Sequence, residues 1–300
     1  MFCHQKRFLW GMVLLLGVPF ASVCRADMQV FGDSLSETGN FYKAVSFQTI
    51  PPSPPYDDGR FSNGPLWVEY LARALGEPLP RPSFDGGTNY AFNGARATGS
   101  SIYGTPDLAG QVARYLTVNK NIADPHDVFV IWAGANDIFL GSSEPDFLLN
   151  AIQGVADAIT QLHAAGARNF IVLDLPLLGQ TPFFNTNPDF AAPLDLASTA
   201  FNSLLATALV ELRHLDGIKI ADVKISQLFQ LLTRYPKLFG LRNVRDSATL
   251  TNALGLAIEL KPGVDPKRYL FWDSVHPTTH THQIIAVTAY IDFRAHCWRR

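Results

Sequence analysis

Cysteine is scarce in this chain: 3 occur among 300 residues, at positions 3, 24 and 297. Three thiols so far apart do not make a disulfide framework, so the fold must rest on a hydrophobic core. An excess of positive charge is also missing, with 24 Lys and Arg against 26 Asp and Glu. Without a basic patch there is no electrostatic footprint for nucleic acid. The chain has no internal repeat, low-complexity tract or convincing linker, and one domain over residues 27–300 is expected. It also lacks a Gly-x-Ser-x-Gly elbow, which sets it apart from the α/β-hydrolases.

What is present begins with a leader. Lys6 and Arg7 precede an apolar stretch from Phe8 to Phe20, and small residues lead to Cys24-Arg25-Ala26. That order reads as a secretory signal peptide over residues 1–26, which implies export to a periplasmic or extracellular setting. The apolar stretch is shorter than the roughly 20 residues that span a bilayer. A competing reading acylates Cys24 as a lipoprotein anchor, but Ala21-Ser22-Val23 fits that signal poorly. Removal of residues 1–26 takes away three basic residues and no acids, moving the formal charge from −2 to −5. Cys297 stands among His296, Trp298 and Arg299, with nothing to mark it as a nucleophile.

Four apolar runs read as strands: Met28 to Phe31, Val128 to Trp132, Asn169 to Leu173 and Ile218 to Ala221. Continuous apolar character, in place of alternation, suggests strands covered on both faces, as in a parallel sheet. Between them lie helical patterns: Leu66 to Leu75, Leu108 to Val118, Phe147 to Ala165, Leu194 to Leu212, Lys224 to Arg234 and Thr279 to His296. Gly76 and Gly166 stop two of these. Strands alternating with helices predict a doubly wound α/β layer structure. In such a sheet ligands bind beyond the carboxyl ends of the strands, so chemistry-bearing motifs should follow strands.

They do. Phe31-Gly32-Asp33-Ser34-Leu35-Ser36-Glu37-Thr38-Gly39-Asn40 follows the first strand, and Gly134-Ala135-Asn136-Asp137 follows the second. Asn89-Tyr90-Ala91-Phe92-Asn93-Gly94-Ala95 lies between, and Asp273-Ser274-Val275-His276-Pro277-Thr278 precedes the last helix. Each block has an ordinary reading when taken alone: a turn glycine, a loop-capping Asn-Asp pair, an N-cap aspartate with a solvated histidine. In this order they resemble the GDSL (SGNH) hydrolases, in particular the bacterial lipase/acylhydrolase branch with its phospholipase- and lysophospholipase-like members, over nearly the whole of residues 27–300. The resemblance implies a three-layer α/β/α, flavodoxin-like fold around a central parallel sheet.

It further implies a serine esterase or lipase working through an acyl-serine. Ser34 would be the nucleophile, and the N–H groups of Ser34 and Gly94 with the Asn136 amide would form the oxyanion hole. Physically, two residues between Asp273 and His276 let the carboxylate fold back on the imidazole and fix its tautomer. His276 then takes the Ser34 proton, because a serine hydroxyl is a poor nucleophile without a neighbouring base. Asp137 is assigned to bracing the loop. Such chemistry needs no metal or organic cofactor. His276, His280 and His282 offer a zinc alternative, but no acidic spacing completes a metallohydrolase pattern, and His280 and His282 are expected as polar positions opening the last helix.

The expected partner is an ester or lipid substrate, met by a monomer with transient contact to a membrane surface. Asp174 to Phe184 should border the site, and with Ile138-Phe139-Leu140 it offers an acyl-chain lining. Pro54 to Gly64 resembles a segment of lysophospholipase-like relatives, where Arg60 either meets a polar head group or pairs with Asp57 or Asp58. Acyl transfer to an alcohol acceptor, acetyl ester hydrolysis and noncatalytic lipid binding are the alternatives.

Overall fold

The structure, a computed structural model, describes residues 26–101, 103–141 and 146–296. The expectations on the leader through residue 25, on Cys24 and on Cys297 lie outside these residues. Strands β1 (Met28–Gly32), β2 (Val128–Trp132), β3 (Asn169–Leu173) and β4 (Lys219–Val223) form a sheet in that order. All pairs are parallel, and the strands start level, with Met28 opposite Val128, Val128 opposite Asn169 and Asn169 opposite Lys219. Every residue of β1 and β2 is buried, which is what continuous apolar runs require of strands covered on both faces.

Five helices supply most of that cover. Helices α3 (Leu108–Val118), α5 (Phe147–Ala165) and α6 (Pro188–Leu212) pack side by side, while α2 (Trp67–Leu75) packs on α8 (Thr279–His296), which also lies against β4. Right-handed crossovers place these two groups on opposite faces of the sheet, giving three layers. Two short helices, α1 (Asn40–Ala44) and α4 (Ala135–Gly141), follow β1 and β2, and α7 (Ile225–Arg234) follows β4.

The position of the site follows from strand order. On the side of β1 away from β2, residues 88–92 run as an irregular fifth strand. Val30 N–H donates to the Thr88 carbonyl, Tyr90 N–H to Val30 and Phe92 N–H to Gly32. The chain therefore leaves β1 to one side and returns on the other, so a crevice opens at the carboxyl end of β1. Gly32 closes that strand at φ 144°, and a Cβ there would lie 2.1 Å from the Trp132 carbonyl oxygen. The Gln111 side chain from α3 brackets the same glycine, accepting its N–H at 2.8 Å and donating to its carbonyl at 2.9 Å.

Three elements depart from the sequence reading. Helix α6 begins at Pro188, not Leu194, because the Asn187 side chain caps it by accepting the Asp189 N–H. Pro188 sits at its first position, where no N–H partner is needed. Strand β4 runs from Lys219 to Val223, shifted toward its C-terminus by pairing with Asn169 to Leu173. Asn136 and Asp137 do not form a loop but open α4. Two small sheets escaped the sequence: β5 (Asn243–Ser247) pairs with β8 (Tyr269–Phe271), and β6 (Thr249–Thr251) pairs with β7 (Ala257–Leu260). Strand β8 runs straight into the Asp273–His276 turn, which closes on itself through the Trp272 N–H and the His276 carbonyl at 2.7 Å.

Candidate active site

Ser34 stands on the turn after β1, raised by the N–H groups of Ser36 and Glu37 donating to the Asp33 carbonyl. Its Oγ lies 2.9 Å from His276 Nε2, and His276 Nδ1 lies 2.7 Å from Asp273 Oδ2. The other carboxylate oxygen of Asp273 accepts the N–H groups of Val275 and His276 at 2.9 and 2.7 Å. Asp273 is wholly buried, and this oxygen accepts only from the backbone N–H groups of its own turn. An ionised carboxylate can only accept, so Nδ1 carries the ring proton and Nε2 is free to accept from the Ser34 hydroxyl. The sequence places these three residues at opposite ends of the chain, and the fold brings them into one hydrogen-bonded row.

Gly94, Asn136 and Ser34 line one cavity of about 380 Å³. Gly94 takes φ 71°, and a Cβ there would meet the Tyr103 ring at 2.9 Å. Asn136 Nδ2 donates to the Ala95 carbonyl at 2.9 Å, which fixes its amide beside the glycine turn, and stands 3.4 Å from Asp33 Oδ2. Asp137 braces this same turn: it accepts the N–H groups of Ala97 and Thr98 at 2.7 and 3.3 Å and faces Arg96 at 3.6 Å. Burial pushes the Asp33 carboxyl up to about 7, against the Leu35 N–H and His276, which favour its ionised form.

Most of the remaining lining is apolar. Pro176, Leu178, Phe183 and Phe184 come from the segment after β3, and Phe139 and Leu140 from α4. Ile138, expected beside them, points into the core instead, at 1% exposure. Leu254 and Leu256, on the turn joining β6 to β7, add a wall that the sequence did not announce.

Tyr56 was also missed as a site residue. Its hydroxyl donates to Asp273 Oδ2 at 2.5 Å and accepts the Ala257 N–H at 2.8 Å. Burial and the Asp273 charge push its pKa far above the ordinary phenol value, so it keeps its proton and remains a donor. A pairing across 217 residues leaves no trace in local spacing.

The three histidines point to different partners. His276 meets Ser34 and Asp273, and His280 Nε2 meets the Phe239 carbonyl at 2.9 Å. His282, expected as a polar position at the helix start, is wholly buried instead. Burial, with His276 nearby, lowers its basicity to about 3, so it is a neutral core residue. Among the described residues no three His, Cys, Asp or Glu side chains are grouped to hold a metal. Arg60 spends its guanidinium on Glu69, at 2.8 and 3.0 Å, with Asp57 at 3.3 Å and Asp58 at 3.9 Å, and does not line the cavity. Glu69 in turn accepts the Leu66 N–H at the start of α2, so Arg60 serves the fold and not a head group.

On this three-layer α/β/α fold, a crevice at a strand-order switch holds a buried Ser, His and Asp in hydrogen-bonded sequence, the arrangement that serine hydrolases use. The sequence profile of the GDSL-like Lipase/Acylhydrolase family matches residues 29–287, and the chain belongs to that family. It is a carboxylic ester hydrolase. Phosphatidylcholine-sterol acyltransferase of Aeromonas hydrophila is 28% identical, over 92% of this chain and 95% of that protein. Thermolabile hemolysin of Vibrio parahaemolyticus is 29% identical over 85% of this chain, which spans 60% of that protein's length. In fold the chain is similar to the aryl esterase of M. smegmatis, with a TM-score of 0.50 at 13% identity, covering 90% of this chain and 99% of that one.

Proposed function

We propose that the chain is an exported esterase of lipids that acts as a monomer and as one catalytic unit, with Ser34 as nucleophile, His276 as base and Asp273 as its orienting acid. The observation that carries this reading is the row Ser34 Oγ, His276 Nε2 and Nδ1, Asp273 Oδ2, at 2.9 and 2.7 Å, opening on an apolar cavity. As Ser34 Oγ attacks the ester carbonyl carbon, its proton passes to His276 Nε2. The oxyanion so formed is held by the N–H groups of Ser34 and Gly94 and the Asn136 amide. Collapse breaks the bond to the alcohol, which leaves with the proton from Nε2. Water, deprotonated by the same nitrogen, then attacks the acyl-serine and releases the acid.

A cavity walled by aromatic and aliphatic side chains suits an acyl chain better than an acetyl group. The exposed apolar residues at its mouth, Leu254 and Phe183, suit brief contact with a lipid surface. Export rests on the leader read in residues 1–26. The test is mass spectrometry of fatty acids and alcohols released from mixed lipids by the wild type and by Ser34→Ala. Release by the wild type alone supports the reading, and equal release by Ser34→Ala refutes it.

Acyl transfer is a second reading, favoured by the name of the Aeromonas hydrophila relative. An acyl-serine can pass its acyl group to an alcohol in place of water. Product ratios with and without an added sterol or long-chain alcohol separate the two.

A further inference from the structure

We propose that Tyr56 is a positioning residue of the hydrolytic site, sharing the Asp273 carboxylate with His276 and so setting how much of that charge the imidazole feels. This rests on the assignment of Ser34, His276 and Asp273 above. The direction of each bond is fixed by its chemistry. The Ala257 N–H can only donate, so the Tyr56 oxygen accepts there at 2.8 Å, and its single hydrogen goes to the Asp273 carboxylate at 2.5 Å. Asp273 Oδ1 is occupied by two backbone N–H groups of its own turn. Oδ2, the oxygen that faces His276, receives the Tyr56 hydroxyl as well.

The tyrosine is placed to act on the acid and not on the substrate. Its side chain is 3% exposed and does not line the cavity. Its ring packs edge-on against Phe61 at 5.9 Å, and Phe61 lies 5.0 Å from the His276 ring, so the hydroxyl is held at a fixed distance from the pair. Through Ala257 it also ties the acid to β7, whose preceding turn carries Leu254 and Leu256 into the cavity wall. A donor on Oδ2 draws off part of the carboxylate's charge. Removing it concentrates that charge on the remaining bond, to His276. The other ionisable groups facing His276 are Asp33, from the turn after β1, and His282, from α8, and neither touches Tyr56 through a hydrogen bond.

Tyr56→Phe keeps the ring and removes only the hydroxyl. Its expected effect is a fall of about tenfold in kcat, as for loss of a hydrogen bond to a charged group, with KM little changed. The acid limb of the kcat/KM profile moves to higher pH, because the imidazolium is held more tightly. A variant that loses rate with the limb in place acts only through packing, and overturns the proposal, as does wild-type kcat with a wild-type profile. In an Asp273→Asn background Tyr56→Phe has no further effect; an equal loss in both backgrounds also overturns it. Should Tyr56→Phe not fold, the full chain grown with fluorinated tyrosine, a stronger donor, must show the acid limb at lower pH, and an unmoved limb refutes the idea. Activity retained by Ser34→Ala marks failure of the underlying assignment. A dead Ser34→Ala beside a wild-type Tyr56→Phe marks failure of this inference alone.

Discussion

Asp137 and Ala97 are joined by a 2.7 Å hydrogen bond from the Ala97 N–H to the carboxylate, one residue along from the Asn136 amide that grips the Ala95 carbonyl. The first turn of α4 thus holds the glycine loop and carries a donor of its own, so Gly94 and Asn136 are set relative to one another by the bonds that Asn136 and Asp137 make to residues 95–98. Asn136→Ala removes the donor and leaves the brace. The expected result is a fall in kcat of about 10²–10³ with KM little changed, as for other oxyanion donors. Asp137→Ala removes the brace and leaves the N–H groups of Ala97 and Thr98 without the carboxylate they donate to, so it should lower the urea midpoint as well as kcat. Steady-state kinetics and equilibrium unfolding of the two variants separate the roles. A midpoint loss in Asn136→Ala as large as that in Asp137→Ala speaks against them.

Much of this was legible in the sequence because the physics behind it is local. Val128 to Trp132 reads as a buried strand from composition alone, and Asp273-x-x-His276 reads as a pair because two residues suffice for the turn. What was illegible depends on contacts between distant segments. Tyr56 meets Asp273 across 217 residues, and the Leu254 wall belongs to a hairpin too short and polar for a period to show. His282 looked like a solvated helix-start residue because it lies among Thr279, His280 and Thr281. Only the packing of α8 against α2 and β4 puts it inside.

Gly32 admits no side chain. At φ 144°, with a Cβ placed 2.1 Å from the Trp132 carbonyl oxygen, alanine forces β1 away from β2 at the point where Ser34 is presented. Backbone cannot yield as the end of a flexible side chain can, so Gly32→Ala should cost about 3 kcal/mol or more. Soluble yield and the urea midpoint report this. A soluble variant with a wild-type midpoint would show that the strand pair has slack not apparent in the register.

Leu254 is 75% exposed and Phe183 47%, yet both line the cavity. Apolar side chains at a mouth gain most when the substrate is an aggregated lipid. The double change Leu254→Ser and Phe183→Ser should therefore reduce turnover on phospholipid vesicles about tenfold or more while leaving a short soluble ester nearly untouched. Parallel loss on both substrates would assign these residues to the cavity wall only.

His282 gives the fold a pH dependence of known sign. Its basicity falls from 6.5 in the unfolded chain to about 3 in the folded one, through burial and through His276. Between these values the unfolded chain binds a proton that the folded chain refuses, so unfolding gains as pH drops. The contribution is fully favourable above about pH 6.5 and is lost progressively toward pH 3. Asp33 and Glu37 act in the opposite sense, because burial raises them to about 7 and about 8: their terms favour the folded chain at low pH and weaken as pH rises from about 4. A wild-type profile mixes these slopes, whereas a difference between two proteins isolates one. His282→Leu keeps an apolar side chain in the same core position and cannot titrate. The urea midpoint of His282→Leu minus that of the wild type should therefore grow steadily as pH is lowered from about 7 to about 5, with the two closest at the neutral end. A difference that stays constant across that range would mean that His282 finds a proton acceptor or water in the folded chain and titrates there as it does when unfolded.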